Sequence, residues 1–238
     1  MMMQQTLEKL CQLGLRTMAK ALEEDLHGST NSGLPFEDRV GLLVDREWLA
    51  RQELKGQRRL KKAKLKQEAC VENIDYRRVR GLDREVMADL ITCRWIRAGR
   101  NVILTGPTGI GKSWLSCALA NKACRENFSA QYSRVPRLVE ELALARADGS
   151  YLRVLGKIER VELLVLDDWG LCPLEGQAQH DLLEIIDDRV GKRSTLVTSQ
   201  LPLQKWHDMI GDPSVADALL DRMVGSSIHI ALDGGSLR

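Results

Sequence analysis

Apolar residues recur at steps of three and four from the start of the chain. Leu7, Leu10, Cys11, Leu15, Met18, Leu22 and Leu26 fall on one stripe, which predicts an amphipathic helix. The turn-rich run His27-Gly28-Ser29-Thr30-Asn31-Ser32-Gly33 ends it. A second helix is expected to open near Pro35, a residue tolerated in a first turn, with Phe36, Val40, Leu43, Val44, Trp48 and Leu49 as its apolar face. Further on, Leu54, Leu60 and Leu65 keep only a sparse stripe. Residues 1–70 read as a small all-helical module that could bury little by itself. From residue 71 the pattern becomes an alternation. Strands are expected at 101–105, 130–135, 162–166, 194–199 and 227–232, with helices at 113–127, 136–147, 177–190 and 215–224. Such alternation predicts an α/β core, a five-stranded parallel sheet covered by helices on both faces, over residues 71–238. Residues 233–238 read as a frayed tail.

Composition agrees with a packed core: 238 residues with 44% apolar content suit one α/β domain and a small appendage. No apolar run approaches the roughly 20 residues of a membrane span. The polar opening Met1 to Gln5 is no signal peptide, and the six cysteines include no C-x-x-C pair, so buried, reduced thiols of a cytosolic protein are expected rather than a metal site. The net charge of +2 hides an asymmetry. Lys55, Arg58, Arg59, Lys61, Lys62, Lys64 and Lys66 follow one another without an acid between them, and Arg77, Arg78, Arg80 and Arg84 come soon after. A block this dense predicts a polyanion partner, the alternative being a solvated helix face.

The most specific chemistry lies between the first expected strand and its helix. Gly106-Pro107-Thr108-Gly109-Ile110-Gly111-Lys112-Ser113 fits the phosphate-binding P-loop pattern at every fixed position, and Trp114 opens the helix proper. Backbone N–H groups of such a loop turn inward onto a triphosphate, Lys112 reaches the β- and γ-phosphates, and Ser113 ligates Mg²⁺. The expected ligand is therefore ATP with Mg²⁺. Residues 161–166 form an apolar strand that ends in Asp167-Asp168, the Walker B arrangement, with Asp167 on the metal and Asp168 placed to polarise the attacking water. Aspartate is one methylene shorter than the glutamate many hydrolytic relatives carry, so turnover is expected to be slow or to need a partner. The polar end of the 194–199 strand offers Ser199 or Gln200 as the group that orients that water. Arg222, just before the last strand, is either a finger reaching a neighbouring subunit's nucleotide or a surface residue paired with Asp221.

The P-loop, Leu166-Asp167-Asp168-Trp169-Gly170, Val197-Thr198-Ser199-Gln200-Leu201-Pro202 and Gly211-Asp212-Pro213 with Leu220-Asp221-Arg222-Met223 occur in that order. Together they resemble the IstB-type helper ATPases of bacterial insertion sequences, members of the AAA+ class that are similar to DnaC helicase loaders and DnaA initiators. The resemblance covers nearly the whole chain. It implies ATP-bound subunits side by side on duplex DNA, with nucleotide at the subunit interfaces and Arg222 completing the neighbour's site. It further implies presentation of bent DNA to a transposase encoded by the same element, in the bacterial cytoplasm at the nucleoid. Arg134, Arg137, Arg146, Arg153 and Lys157 lie where initiator-type members carry DNA-contacting elements. A C-terminal lid has no room after the fifth strand, so Ile74 and Tyr76 become candidates to cover the adenine. The rival readings are a DnaC-like helicase loader and, more remotely, a small-molecule P-loop kinase, which would need a lid and an acceptor pocket and for which no arginine-rich lid sequence is found.

Overall fold

The computed structural model describes residues 2–28, 33–77 and 81–236; Ser29 to Ser32 of the first turn, Arg78 and Arg80 of the second basic group, and the last two residues lie outside it. The chain divides into two compact units, 1–58 and 59–238, earlier than the change of pattern near residue 71.

In the first unit the expected single N-terminal helix is two, α1 (Met2–Gln12) and α2 (Arg16–His27). Gly14, at φ +76°, ends α1: the Leu15 N–H bonds to the Leu10 carbonyl at 2.8 Å and the Gly14 N–H to that of Cys11 at 3.0 Å. This is a Schellman cap, and the apolar stripe conceals it because its period continues across the break. The long helix α3 (Phe36–Ala63) follows and carries the chain across the unit boundary. Of its expected apolar face only Leu43 is buried and Val40 half-buried; Phe36, Val44, Trp48 and Leu49 are exposed. Glu47 is buried instead. It accepts the Met18 N–H at 2.9 Å and Arg51 Nε at 2.7 Å, while Arg39 pairs with Asp25 and Arg46 with Glu24.

The second unit holds a five-stranded, all-parallel sheet in the order β2-β3-β4-β1-β5, made of β1 (Val102–Thr105), β2 (Ala130–Arg134), β3 (Leu163–Trp169), β4 (Ser194–Ser199) and β5 (Ile228–Ala231). Alternate residues feed opposite faces. Val102, Leu104, Leu163, Val165 and Leu196 join one apolar cluster, together with α4 (Arg84–Ile91), the short α5 (Arg94–Arg97) and α6 (Lys112–Arg125). Ile103, Leu164, Leu166 and Val197 join the other, beneath α7 (Val135–Ala147), α8 (Tyr151–Arg160), α9 (Gln177–Arg189) and α10 (Pro213–Val224). Ala63, at the end of α3, and Ala69, Val71 and Ile74 after it belong to the first cluster, which is why the unit reaches back before residue 71. Trp169 of the Asp-Asp-Trp-Gly run is buried, its ring centroid 5.4 Å from that of Trp206. Leu232, the last residue of the expected fifth strand, is buried and its N–H bonds to the Thr105 carbonyl at 2.7 Å. Among the described residues no helix follows β5. The thiols are free but not all buried, since Cys11 and Cys172 are exposed.

Candidate nucleotide site

β1 lies inside the sheet between β4 and β5, and the chain leaving it crosses over two strands to reach β2. The P-loop therefore opens at the carboxyl ends of the strands, where the connections diverge and leave a crevice. Gly106 (φ +145°) must be glycine, because a Cβ there would sit 2.2 Å from the Leu232 carbonyl oxygen. Gly109 is favoured by its left-handed backbone (φ +84°), a Cβ on it meeting the Ser236 hydroxyl rather than backbone. Lys112 opens α6 and is buried; its Nζ donates to the carbonyls of Gly106 at 2.7 Å and Pro107 at 2.9 Å. Burial lowers its pKa from the ordinary lysine value, against the opposing pull of Asp167 and Asp168.

The two acids sit where the register of β3 on β4 shifts, between Leu166 and Trp169. Asp168 takes a left-handed conformation (φ +62°), so the irregularity turns two consecutive carboxylates to different tasks. Asp167 points inward and is fully buried. Its Oδ1 accepts the Ser113 hydroxyl at 2.8 Å and that of Thr198, and its Oδ2 accepts the Tyr132 phenol. Lys66 Nζ stands 3.4 Å from Oδ2. Burial would raise the Asp167 pKa, but the bonds from Thr198, Tyr132 and Ser113, followed by the charge of Lys66, outweigh it and hold the carboxyl below its ordinary 3.8. Tyr132 is pushed far above the ordinary phenol range, by burial first and then by Asp167. Asp168 faces outward and binds Arg134 Nε at 2.7 Å.

A pocket of about 510 Å³ opens over these groups, within the range for small-molecule sites. Thr108, Gly109, Gly111, Lys112, Ser113 and Trp114 line it on the loop side, Asp168, Thr198, Ser199 and Gln200 on the strand side, and Lys66, Gln67, Asn73 and Asp75 on the third. Gly106, Pro107 and Ile110 do not line it, and Ile110 is buried in the core. Neither adenine candidate lines the pocket: Ile74 is buried in the apolar cluster and Tyr76 packs against it beneath the Arg84 guanidinium, while their neighbours Asn73 and Asp75 line it. Ser199 and Gln200 both reach it. The Ser199 hydroxyl donates to the Trp169 carbonyl at 2.8 Å, and the Gln200 carboxamide oxygen accepts from Thr108 on the P-loop at 2.8 Å. Arg222 does not line this pocket; it pairs with Asp187 rather than Asp221 and donates to the Ala218 carbonyl at 2.9 Å.

The basic residues separate into two kinds. Lys55, Arg58, Lys61, Lys62 and Lys64 are exposed and Arg59 half-buried on and just past α3; Arg137, Arg153 and Lys157 are exposed on α7 and α8. Lys66, Arg134 and Arg146 are engaged with acids instead: Lys66 with Asp167, Arg134 with Asp168, and Arg146 with Asp181 while stacked 3.7 Å over the Tyr151 ring. Lys66, Tyr132 and Thr198 are thus site residues that motif reading passes over. Thr198 lay in a quoted strand end, but nothing in the sequence marks Tyr132, and Lys66 is hidden among like charges.

Among solved structures the fold is similar to the crystal structure of DnaI (TM-score 0.60, 22% identity, covering 70% of this chain and 92% of that one). It is also similar to the DnaC helicase loader (TM-score 0.54, 16% identity, 74% and 99%) and to replication initiator DnaA bound to AMPPCP and single-stranded DNA (TM-score 0.59, 18% identity, 72% and 52%). These are AAA+ proteins, and the likeness establishes the fold. An insertion sequence ATP-binding protein of Sinorhizobium fredii is 52% identical over 98% of this chain and 95% of its own length. An ATP-binding protein in an insertion sequence of Mycobacterium tuberculosis is 31% identical over 95% and 90%. The sequence profile of the IstB-like ATP binding proteins matches residues 8–238, and with the P-loop, the paired aspartates and the parallel sheet in place, the chain belongs to that family.

Proposed function

We propose that this protein is a Mg²⁺-dependent ATPase that assembles with copies of itself on duplex DNA and presents that DNA to the transposase of the same insertion sequence. One observation carries the reading: Lys112, Ser113 and Asp168 line a single pocket at the carboxyl end of the sheet, and the buried Asp167 lies directly behind it, accepting the Ser113 hydroxyl. The Ser113 hydroxyl and the Asp167 carboxylate are hard oxygen donors suited to Mg²⁺, held mainly through phosphates and water. When bound, the ion neutralises charge on the β- and γ-phosphates. Lys112 leaves the loop carbonyls for the phosphates, Gln200 or Ser199 orients the attacking water, and Asp168 accepts its proton once free of Arg134. Arg222 acts on the nucleotide of an adjacent subunit, in keeping with its place outside its own pocket.

The exposed cations of α3, with Arg137, Arg153 and Lys157, suit phosphate contacts that carry little sequence information. The test is ATP-dependent assembly on duplex against single-stranded DNA, followed by light scattering at several salt concentrations. Large particles on duplex DNA that need ATP and dissolve as salt rises are expected. Assembly confined to single strands, or none on either, would overturn the reading in favour of a helicase loader.

A further inference from the structure

Lys66 is the last cation of the basic run, and although its side chain is still partly exposed it is turned onto an acid. Helix α3 ends at Ala63, which is fully buried, and Lys64 takes a left-handed conformation (φ +51°) that turns the chain back toward the sheet. Ala69 and Val71, just beyond Lys66, are buried in the same apolar cluster as Cys117 of α6, which anchors the segment beside the P-loop helix. From there the Lys66 ammonium reaches 3.4 Å from Asp167 Oδ2 and lines the nucleotide pocket. Lys112, the cation that motif reading places here, is turned onto the carbonyls of Gly106 and Pro107 instead. Among the described residues, Lys66 is therefore the basic side chain that pairs with the fully buried Asp167, whose other partners are the neutral hydroxyls of Ser113, Thr198 and Tyr132.

From this juxtaposition we infer that Lys66 is the built-in counter-cation of Asp167, holding the metal-binding carboxylate neutralised until a divalent ion arrives with a nucleotide and displaces it. An ammonium and Mg²⁺ compete for one carboxylate, since two cations about 4 Å apart repel. With Lys66 in place the carboxylate offers little to a free metal ion. A metal–nucleotide brings extra binding energy through the P-loop and wins the competition. The device thus makes the site select the metal–nucleotide over the bare metal, and it puts the start of the ATPase core, at the end of the basic helix, in direct contact with the state of the site. This inference rests on the metal–nucleotide reading given above.

The test uses the full chain and Mg²⁺ alone as probe, with thermal melting as the readout, for wild type, Lys66→Gln and Lys66→Arg. In chelator, Lys66→Gln melts below wild type, because Asp167 has lost its counter-charge. Added Mg²⁺ without nucleotide restores Lys66→Gln, with a half-saturating concentration lower than wild type's by on the order of tenfold, the scale of a removed neighbouring charge. Lys66→Arg keeps the counter-cation and behaves as wild type. An identical Mg²⁺ response in wild type and Lys66→Gln would overturn the inference. So would a Lys66→Gln protein that melts as wild type and only binds nucleotide more weakly in chelator, which would make Lys66 a plain phosphate contact. Binding of a fluorescent ADP analogue to wild type separates the two levels. If wild type binds none, the nucleotide-site reading falls; if it binds and the variants respond alike to Mg²⁺, only the role of Lys66 falls.

Discussion

The two units of this chain are held together by different physics. In the second, a parallel sheet is covered on both faces and long runs are fully buried: Leu163, Leu164, Val165 and Leu166 on β3 are all without solvent contact. In the first, the burial is slight, with Ala19, Ala21 and Leu43 inside, and definition comes from polar bonds around Glu47 and from the Arg39–Asp25 and Arg46–Glu24 pairs. An apolar cluster stabilises in proportion to the area it hides, whereas ion pairs at a wet surface contribute little each. The P-loop and the acid pair sit in the second unit, where the buried Asp167 carboxylate accepts from three hydroxyls.

The largest effect should come from opening the buried sheet. Leu166→Ala is expected to destabilise the second unit by about 3 kcal/mol, within the usual range for a leucine cavity. Chemical denaturation followed by far-ultraviolet dichroism measures it, and a loss under about 1 kcal/mol would mean that β3 is less tightly enclosed than its burial implies. Lys112→Ala probes the same region without touching its core. Nucleotide affinity should fall by about 100-fold, the scale of losing a charged hydrogen-bonding group, while the melting temperature in chelator changes little. A fluorescent ATP analogue reads the affinity, and unchanged binding would refute the P-loop assignment.

The first unit should answer to pH instead. The Met18 N–H first, and then Arg51, hold the Glu47 carboxyl below its ordinary 4.5. That contribution is complete above the ordinary value and is lost as pH falls through the lowered one. Glu47→Gln should therefore flatten the acid limb of unfolding for the helical unit below pH 4.5 and leave the ATPase core unaffected. Hydrogen exchange resolved by segment checks this, and an equal change in β3 would erase the contrast between the units. The smallest effect is expected at Trp48, exposed on α3, where Trp48→Ala should change stability by no more than about 0.5 kcal/mol. A larger loss would mean that this face is covered in solution.

The strand and helix order of the second unit was legible because each element carries a period that survives on its own: β1, β4 and α9 lie within a residue or two of their expected positions. The short helices α4 and α8 were not foreseen. α4 depends on its Asp83 cap, which accepts from the Glu85 and Val86 N–H groups, and α8 on three buried side chains, Tyr151, Leu155 and Ile158. In the first unit the stripes misled about burial, since periodicity records which residues share a face and not what covers that face.

By itself the sequence determined the parallel α/β core, the P-loop and the acid pair, because glycine spacing, a lysine and two carboxylates after an apolar strand are local requirements of phosphate and metal chemistry. Only the tertiary structure decided which charges meet. It set Arg134 on Asp168, Arg146 on Asp181, and Lys66 on a carboxylate a hundred residues away. Ion pairing depends on distance through space, and a run of like charges along the chain is silent about which of its members the fold turns inward.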